Sequence, residues 1–137
     1  MLKTFLTSMA VVAALAAPYM SDGMAAETGF TPQVINERGI KLTVVLQDIS
    51  DKADTWDFAV TLETHTQALG DDLAKSSVLI ADGKEYLPLA WEGASPGGHH
   101  RKGSLRFKAI VPQPKSIELQ IRLANDPAPR VFKWLLK

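Results

Sequence analysis

A glycine-bracketed loop, residues 96–103, carries the side chains in this sequence that are best suited to binding a ligand. His99 and His100 are adjacent there, and Arg101 and Lys102 follow directly. Imidazole nitrogens bind transition metals or exchange a proton near neutral pH, and the two cations attract anions. Glycines on both sides give the backbone the freedom to curl around a small ligand. The sequence therefore predicts a binding loop for a metal ion or a small anion.

The third histidine extends this predicted site. His65 lies at the end of a strand pattern that begins at Trp56, while His99 and His100 precede another strand pattern. Loops from different hairpins can meet at one end of a β-sandwich, so we expect the three histidines to converge there. Zn(II) and Cu(II) are ions that suit imidazole ligands. We therefore assign a metal site to His65, His99 and His100.

Contacts to the bound ligand are assigned to Trp91, Arg101 and Lys102, which lie within or just before the same loop. An alternative makes Trp91 a core side chain, because tryptophans are usually buried deeply in sandwich proteins. In that interpretation one of the two adjacent histidines packs against the indole and the other is solvated.

Softer metal ligands and catalytic motifs are missing from the sequence. It contains no cysteine, and its four methionines all precede residue 27. Cu(I) usually relies on thiolate or thioether ligands. Neither a cysteine nucleophile nor a Gly-x-Ser-x-Gly elbow occurs, so the common forms of nucleophilic catalysis have no candidate. We therefore expect a non-catalytic protein rather than an enzyme.

The first 26 residues have the pattern of a secretory signal peptide. Lys3 precedes an apolar run over residues 5–17, and small residues at 23–26 offer a cleavage site. The run falls short of the roughly 20 apolar residues that a spanning helix needs. We expect a periplasmic or secreted product with no membrane span after cleavage. Residues 27–38 are then expected to be a flexible leader, and residues 39–137 a single domain.

Charge argues against a nucleic-acid partner. The 15 basic and 15 acidic residues balance, and removal of Lys3 and Asp22 with the signal peptide leaves 14 of each. A balanced domain has no strong long-range attraction to nucleic acid.

Alternation of apolar and polar residues predicts the architecture. It runs through residues 40–47, 56–63 and 117–123, and a period of two is typical of half-buried strands. Asp82-Gly83 separates two further apolar segments, as in a tight two-residue hairpin. About seven such strands predict an all-β fold, a single antiparallel immunoglobulin-like β-sandwich. Three residues are expected in its core: Trp56, Phe58 and Leu119.

In the closing strand pattern, residues 131–136, one face carries Phe132, Trp134 and Leu136, and the other carries two further apolar residues, Val131 and Leu135, with Lys133 between them. Such a strand can meet a partner. Two functions therefore stay open. The chain is a binding module for a divalent transition metal or small anion at the His-His-Arg loop, or it is an accessory envelope protein that docks another protein. That docking would use a sheet edge or the C-terminal strand.

Short motifs spread over most of the predicted domain resemble a group of exported bacterial and archaeal β-sandwich proteins of unestablished activity. They are Thr64-His65-Thr66, Asp82-Gly83-Lys84-Glu85-Tyr86, Trp91-Glu92-Gly93, and Pro96-Gly97-Gly98-His99-His100-Arg101 with Gly103. This resemblance implies export and the sandwich fold. The domain is also broadly similar in size and architecture to periplasmic copper-binding sandwiches of the CopC type. The expected mature start has no histidine, so the Cu(II) site of that family is not carried over.

Overall fold

The computed structural model describes residues 30–47, 49–50 and 52–136 of the chain. The predicted signal peptide, residues 1–26, lies outside the described residues. Across the described part, no helix is both long enough and apolar enough to cross a bilayer.

Nine strands and one short helix follow one another along the described residues. In chain order they are β1 (Gln33–Glu37), β2 (Ile40–Leu46), β3 (Thr55–Thr64), α1 (Leu73–Ser76), β4 (Ser77–Ala81), β5 (Lys84–Tyr86), β6 (Ala90–Gly93), β7 (His100–Lys108), β8 (Ser116–Ile121) and β9 (Arg130–Leu135). Sheet A has the order β1-β2-β3-β7-β6, and sheet B has the order β5-β4-β8-β9. All pairings within them are antiparallel. The predicted all-β antiparallel sandwich is confirmed, with nine strands in place of about seven.

The two sheets bury their apolar faces against each other. Phe58 of sheet A lies edge-on to Phe107, with ring centroids 5.5 Å apart, and its ring centroid lies 5.3 Å from that of Trp134 in sheet B. Aromatic pairs prefer such tilted arrangements. Trp56, Phe58 and Leu119 are each exposed by 2% or less, so their predicted place in the core is confirmed.

The hairpin predicted at Asp82-Gly83 is confirmed at its turn, but its second strand differs from the prediction. Asp82 and Gly83 have φ angles of 51° and 78°, which suit the tight turn predicted between β4 and β5. The expected second strand over residues 84–91 is divided between the sheets, because β5 pairs with β4 and β6 pairs with β7. Pro88 lies in the crossing segment and has no N–H for either ladder, which favours the break there.

Residues 33–37 lie within the expected flexible leader, residues 27–38. This segment forms β1, and all five of its residues pair with β2. Arg130 holds it from the far end of the chain through an ion pair with Asp126 at 2.7 Å. The same guanidinium donates to three carbonyls of the β1–β2 hairpin: Ile35 at 3.1 Å, Glu37 at 2.7 Å and Ile40 at 2.7 Å.

Candidate functional site

The three histidines lie at one end of the sandwich, where β3 ends and β7 begins. His100 is the cross-strand partner of Glu63, and the backbone N–H of Thr64 donates to the carbonyl of His99 at 3.0 Å. His65 follows Thr64 directly, and all three histidines are exposed. Among the described residues, however, no three His, Asp or Glu side chains are grouped so as to hold a metal ion. The Zn(II) or Cu(II) site at His65, His99 and His100 therefore stays a prediction.

The glycine loop between β6 and β7 is tied to the loop that follows β3. The N–H of Gly97 donates to the carbonyl of Leu69 at 2.7 Å, and the N–H of Leu69 donates to the carbonyl of Gly98 at 3.0 Å. Both glycines have positive φ angles, 116° and 72°, which other residues rarely adopt. The two glycines thus allow this loop to pack against the loop that follows β3. The sequence instead suggests that they give the backbone freedom to curl around a ligand.

Arg101, predicted to contact a ligand, is buried instead, with 1% of its surface exposed. Its guanidinium donates to the backbone carbonyls of Leu69 at 3.3 Å, Asp71 at 2.7 Å and Ala94 at 3.2 Å. Burial lowers the pKa of Arg101 from its ordinary value, while the charges of Asp71 and Asp72 act in the opposite direction. The side chain therefore joins the loops at this end of the sandwich from the inside.

Trp91 is half-buried at the edge of sheet A and lies beside Arg101. Its indole N–H donates to the Ala94 carbonyl at 2.9 Å, and the guanidinium carbon of Arg101 lies 5.5 Å from its ring centroid. A β-carbon on Gly103 would come within 2.7 Å of the indole and 2.8 Å of the Cα of Gly93. Glycine is needed there because the ring and the facing backbone approach so closely. The contacts of Trp91 and Arg101 thus hold the corner between β6 and β7.

Lys102 is the most exposed of the three predicted ligand contacts. It lies on the outer face of sheet A, cross-strand to Thr61. On the same face Arg106 donates to Asp57 at 2.9 Å and to Glu92 at 3.2 Å. The hydrogen bond and charge of Asp57, and then the charge of Glu92, raise the pKa of Arg106 above its ordinary value. This face is therefore polar, and its central charges neutralise one another.

The outer face of sheet B carries aliphatic side chains on β4 and β9, and Glu118 and Gln120 of β8 lie between them. Val78 and Ile80 of β4 are half-buried on it, while Val131 and Leu135 of β9 are 38% and 71% exposed. Leu87, 74% exposed, follows β5, and it lines one cavity together with Val78. We call these five residues the aliphatic face. Clustered exposed apolar side chains are typical of interaction surfaces on soluble domains.

The C-terminal strand explains much of this surface. Phe132 and Trp134 of β9 are buried, whereas Val131, Lys133 and Leu135 alternate with them and point away from the core. The sequence pattern with apolar residues on both faces thus becomes one face in the core and one face open to solvent. The sequence therefore indicated the aliphatic contribution of β9, since Val131 and Leu135 alternate with the buried Phe132 and Trp134.

Comparison with known proteins adds little to this description. No protein-family model and no curated protein matches the chain. Among solved structures, it is similar to MPT63, a secreted protein from Mycobacterium tuberculosis, at 15% sequence identity and a TM-score of 0.44. That similarity covers 77% of this chain and 92% of the other. At this distance no residue role is carried from one protein to the other.

Proposed function

We propose that this chain is an exported, non-catalytic interaction module that docks a partner protein through the aliphatic face of sheet B. The observation that carries the proposal is the contrast between the two outer faces. On sheet A the charges are paired around Arg106, whereas sheet B exposes Leu87, Val131 and Leu135 beside its own charged pair, Glu118 and Lys133. Export rests on the signal-peptide pattern of residues 1–26.

Docking by the face is favoured over docking by a sheet edge. At the edge of β9, the amide of Gln33 donates to the Lys133 carbonyl at 2.7 Å, and Arg130 joins the end of this strand to β1. At the opposite side, β5 and β6 are short and Pro88 lies between them. Short strands and prolines are common devices that prevent an edge from pairing with another chain.

Charge around the aliphatic face indicates the chemistry of the partner. Glu118 is already engaged by the amide of Gln120 and lies 3.9 Å from the ammonium of Lys133. Lys75 and Arg122 are exposed, and neither belongs to an ion pair within the described part of the chain. A complementary partner therefore presents aliphatic side chains bordered by carboxylates, because opposite charges favour encounter and register.

The test begins by placing a photo-crosslinking amino acid at Leu135 and, as a control, at Thr61 on the outer face of sheet A. An adduct specific to Leu135 identifies a partner, which is then purified and titrated with the exported protein. We expect the Val131→Lys, Leu135→Lys double variant to weaken binding at least roughly tenfold, since two aliphatic contacts are lost.

The matched control is the Val34→Lys, Leu89→Lys double variant, whose residues are 51% and 59% exposed outside the aliphatic face. It should bind like the wild type. Equal weakening by both double variants overturns the proposal. So does a homodimer that only the Val131→Lys, Leu135→Lys change disrupts in sedimentation velocity, because the occupant would then be a second copy of the chain.

A further inference from the structure

A cavity of about 300 Å³ opens beside the aliphatic face, between α1, β4, β5 and the end of β8. Lys75 and Arg122 contribute its cations, and Val78 and Leu87 contribute apolar surface. The cavity thus combines an apolar wall with two cations and one carboxylate, that of Glu85. This combination suits an acidic group on a short aliphatic stem.

The chain segments that carry the two cations are joined through the backbone. Lys75 lies in the last turn of α1, and the next residue, Ser76, accepts a hydrogen bond through its carbonyl from the N–H of Arg122 at 2.8 Å. Asp72 caps α1 by accepting from the N–H of Ala74 at 3.1 Å. The chain segments that carry the cations are therefore fixed before any ligand arrives, which lowers the entropic cost of binding.

Glu85 of β5 also lines the cavity, and it forms no ion pair with Lys75 or Arg122 within the described residues. Glu85 is the cross-strand partner of Ile80, whereas Ser77, at the cationic end, faces Ile121. Three residues of β4 separate the two positions, a distance of roughly 10 Å along a strand. Glu85 therefore leaves the charges of Lys75 and Arg122 available to an outside anion.

Resting on the proposed function, we infer that this cavity binds a carboxylate of the partner protein, a glutamate side chain set beside an aliphatic residue. Arg122 provides a planar donor fork that matches a carboxylate, and Lys75 provides a second charge. Val78 and Leu87 contact the aliphatic stem. The cavity would then set the register of the partner on the aliphatic face.

The experiment uses two blocked dipeptides as probes, N-acetyl-leucyl-glutamate amide and its neutral analogue N-acetyl-leucyl-glutamine amide. Each is titrated into the ¹⁵N-labelled exported protein. We expect saturable shifts of the Ser76, Ser77, Gln120 and Arg122 amides with the glutamate peptide, and about tenfold weaker binding of the glutamine peptide.

The Lys75→Gln, Arg122→Gln double variant should lose the preference for glutamate. The Lys41→Gln, Lys102→Gln double variant, which removes two charges from the outer face of sheet A, should retain it. Equal affinity for both peptides overturns the inference. So does the absence of saturable shifts at roughly 20 mM peptide, well above the millimolar dissociation constant expected for so few contacts.

Failure of this inference can be distinguished from failure of the proposed function. If Val131→Lys, Leu135→Lys abolishes partner binding but Lys75→Gln, Arg122→Gln leaves it unchanged, the pocket is refuted and the docking face stands. If the substitutions on the aliphatic face leave partner binding unchanged, both are refuted.

Discussion

Replacement of Arg101 by methionine tests whether this side chain is part of the fold or of a ligand site. Of its three carbonyl acceptors, Leu69 keeps a bond from the Gly97 N–H at 2.7 Å, and Ala94 keeps one from the Trp91 indole at 2.9 Å. The Asp71 carbonyl, 2.7 Å from the guanidinium, has no other donor among the described hydrogen bonds.

The cost of the substitution follows from this accounting. A hydrogen bond from a charged donor contributes about 1.5–3 kcal/mol, and methionine fills most of the arginine volume, so Arg101→Met should cost about 2 kcal/mol. Arg101→Ala also leaves a cavity beneath Trp91 and should cost about 3–5 kcal/mol.

Urea unfolding of the exported protein, followed by circular dichroism, measures both free energies. The matched control is Lys102→Met, one residue along the same strand but exposed, which should change stability by no more than about 0.5 kcal/mol. A loss for Arg101→Met as small as that of the control would refute the structural role and return Arg101 to the candidate ligand contacts.

Further perturbations test other parts of the structure. Phe58→Ala should lower the free energy of unfolding by about 3 kcal/mol, because the ring is fully buried; a change under about 0.5 kcal/mol contradicts its core position. Gly103→Ala should cost about 1–3 kcal/mol, since the new methyl group would overlap the Trp91 indole, and an unchanged urea midpoint would show that the strands adjust freely. In calorimetry with Zn(II), the histidine hypothesis predicts a wild-type site whose affinity falls below about pH 6.5 and is weakened by His99→Ala, His100→Ala; equal affinity of the two proteins rejects the site. Intact-mass analysis of the exported protein should give a chain that begins near Ala26 or Glu27, and a product that retains Met1 refutes cleavage.

The sequence predicts the strands whose own side chains bury enough apolar surface to determine their position. In β2, β3 and β8, strict alternation identifies the inward face correctly. The first strand has no such pattern, because Gln33–Glu37 contains two apolar residues and has no buried one. Its stability comes from pairing with β2 and from Arg130, which is 93 residues from Glu37. No local pattern reports such a contact.

In the candidate site, the burial of Arg101 was also not predicted from the sequence. Arg101 stands between histidine and lysine after two glycines, so its surroundings in the sequence suggest solvent. Its position in β7 suggests the opposite, because it has the same parity as Leu105 and Phe107, both fully buried. Extending the alternation of that strand backwards from Leu105 through Gly103 identifies Arg101 as a core position. The glycine-rich composition of the loop obscured this signal.

The hydrogen bonds from Arg130 to the β1–β2 hairpin make completion of the fold depend on β9. They connect residues up to 95 positions apart, joining β1 to the strand that closes sheet B. Loops of this length close slowly, and the contacts inside them form late. A chain that lacks β9 therefore holds β1 only through its pairing with β2. We expect a version that ends at Pro129 to be cleaved within residues 33–37 by a protease that the full chain resists. Loss of the C-terminal strand β9 would thus expose the N-terminal strand β1 to proteolysis.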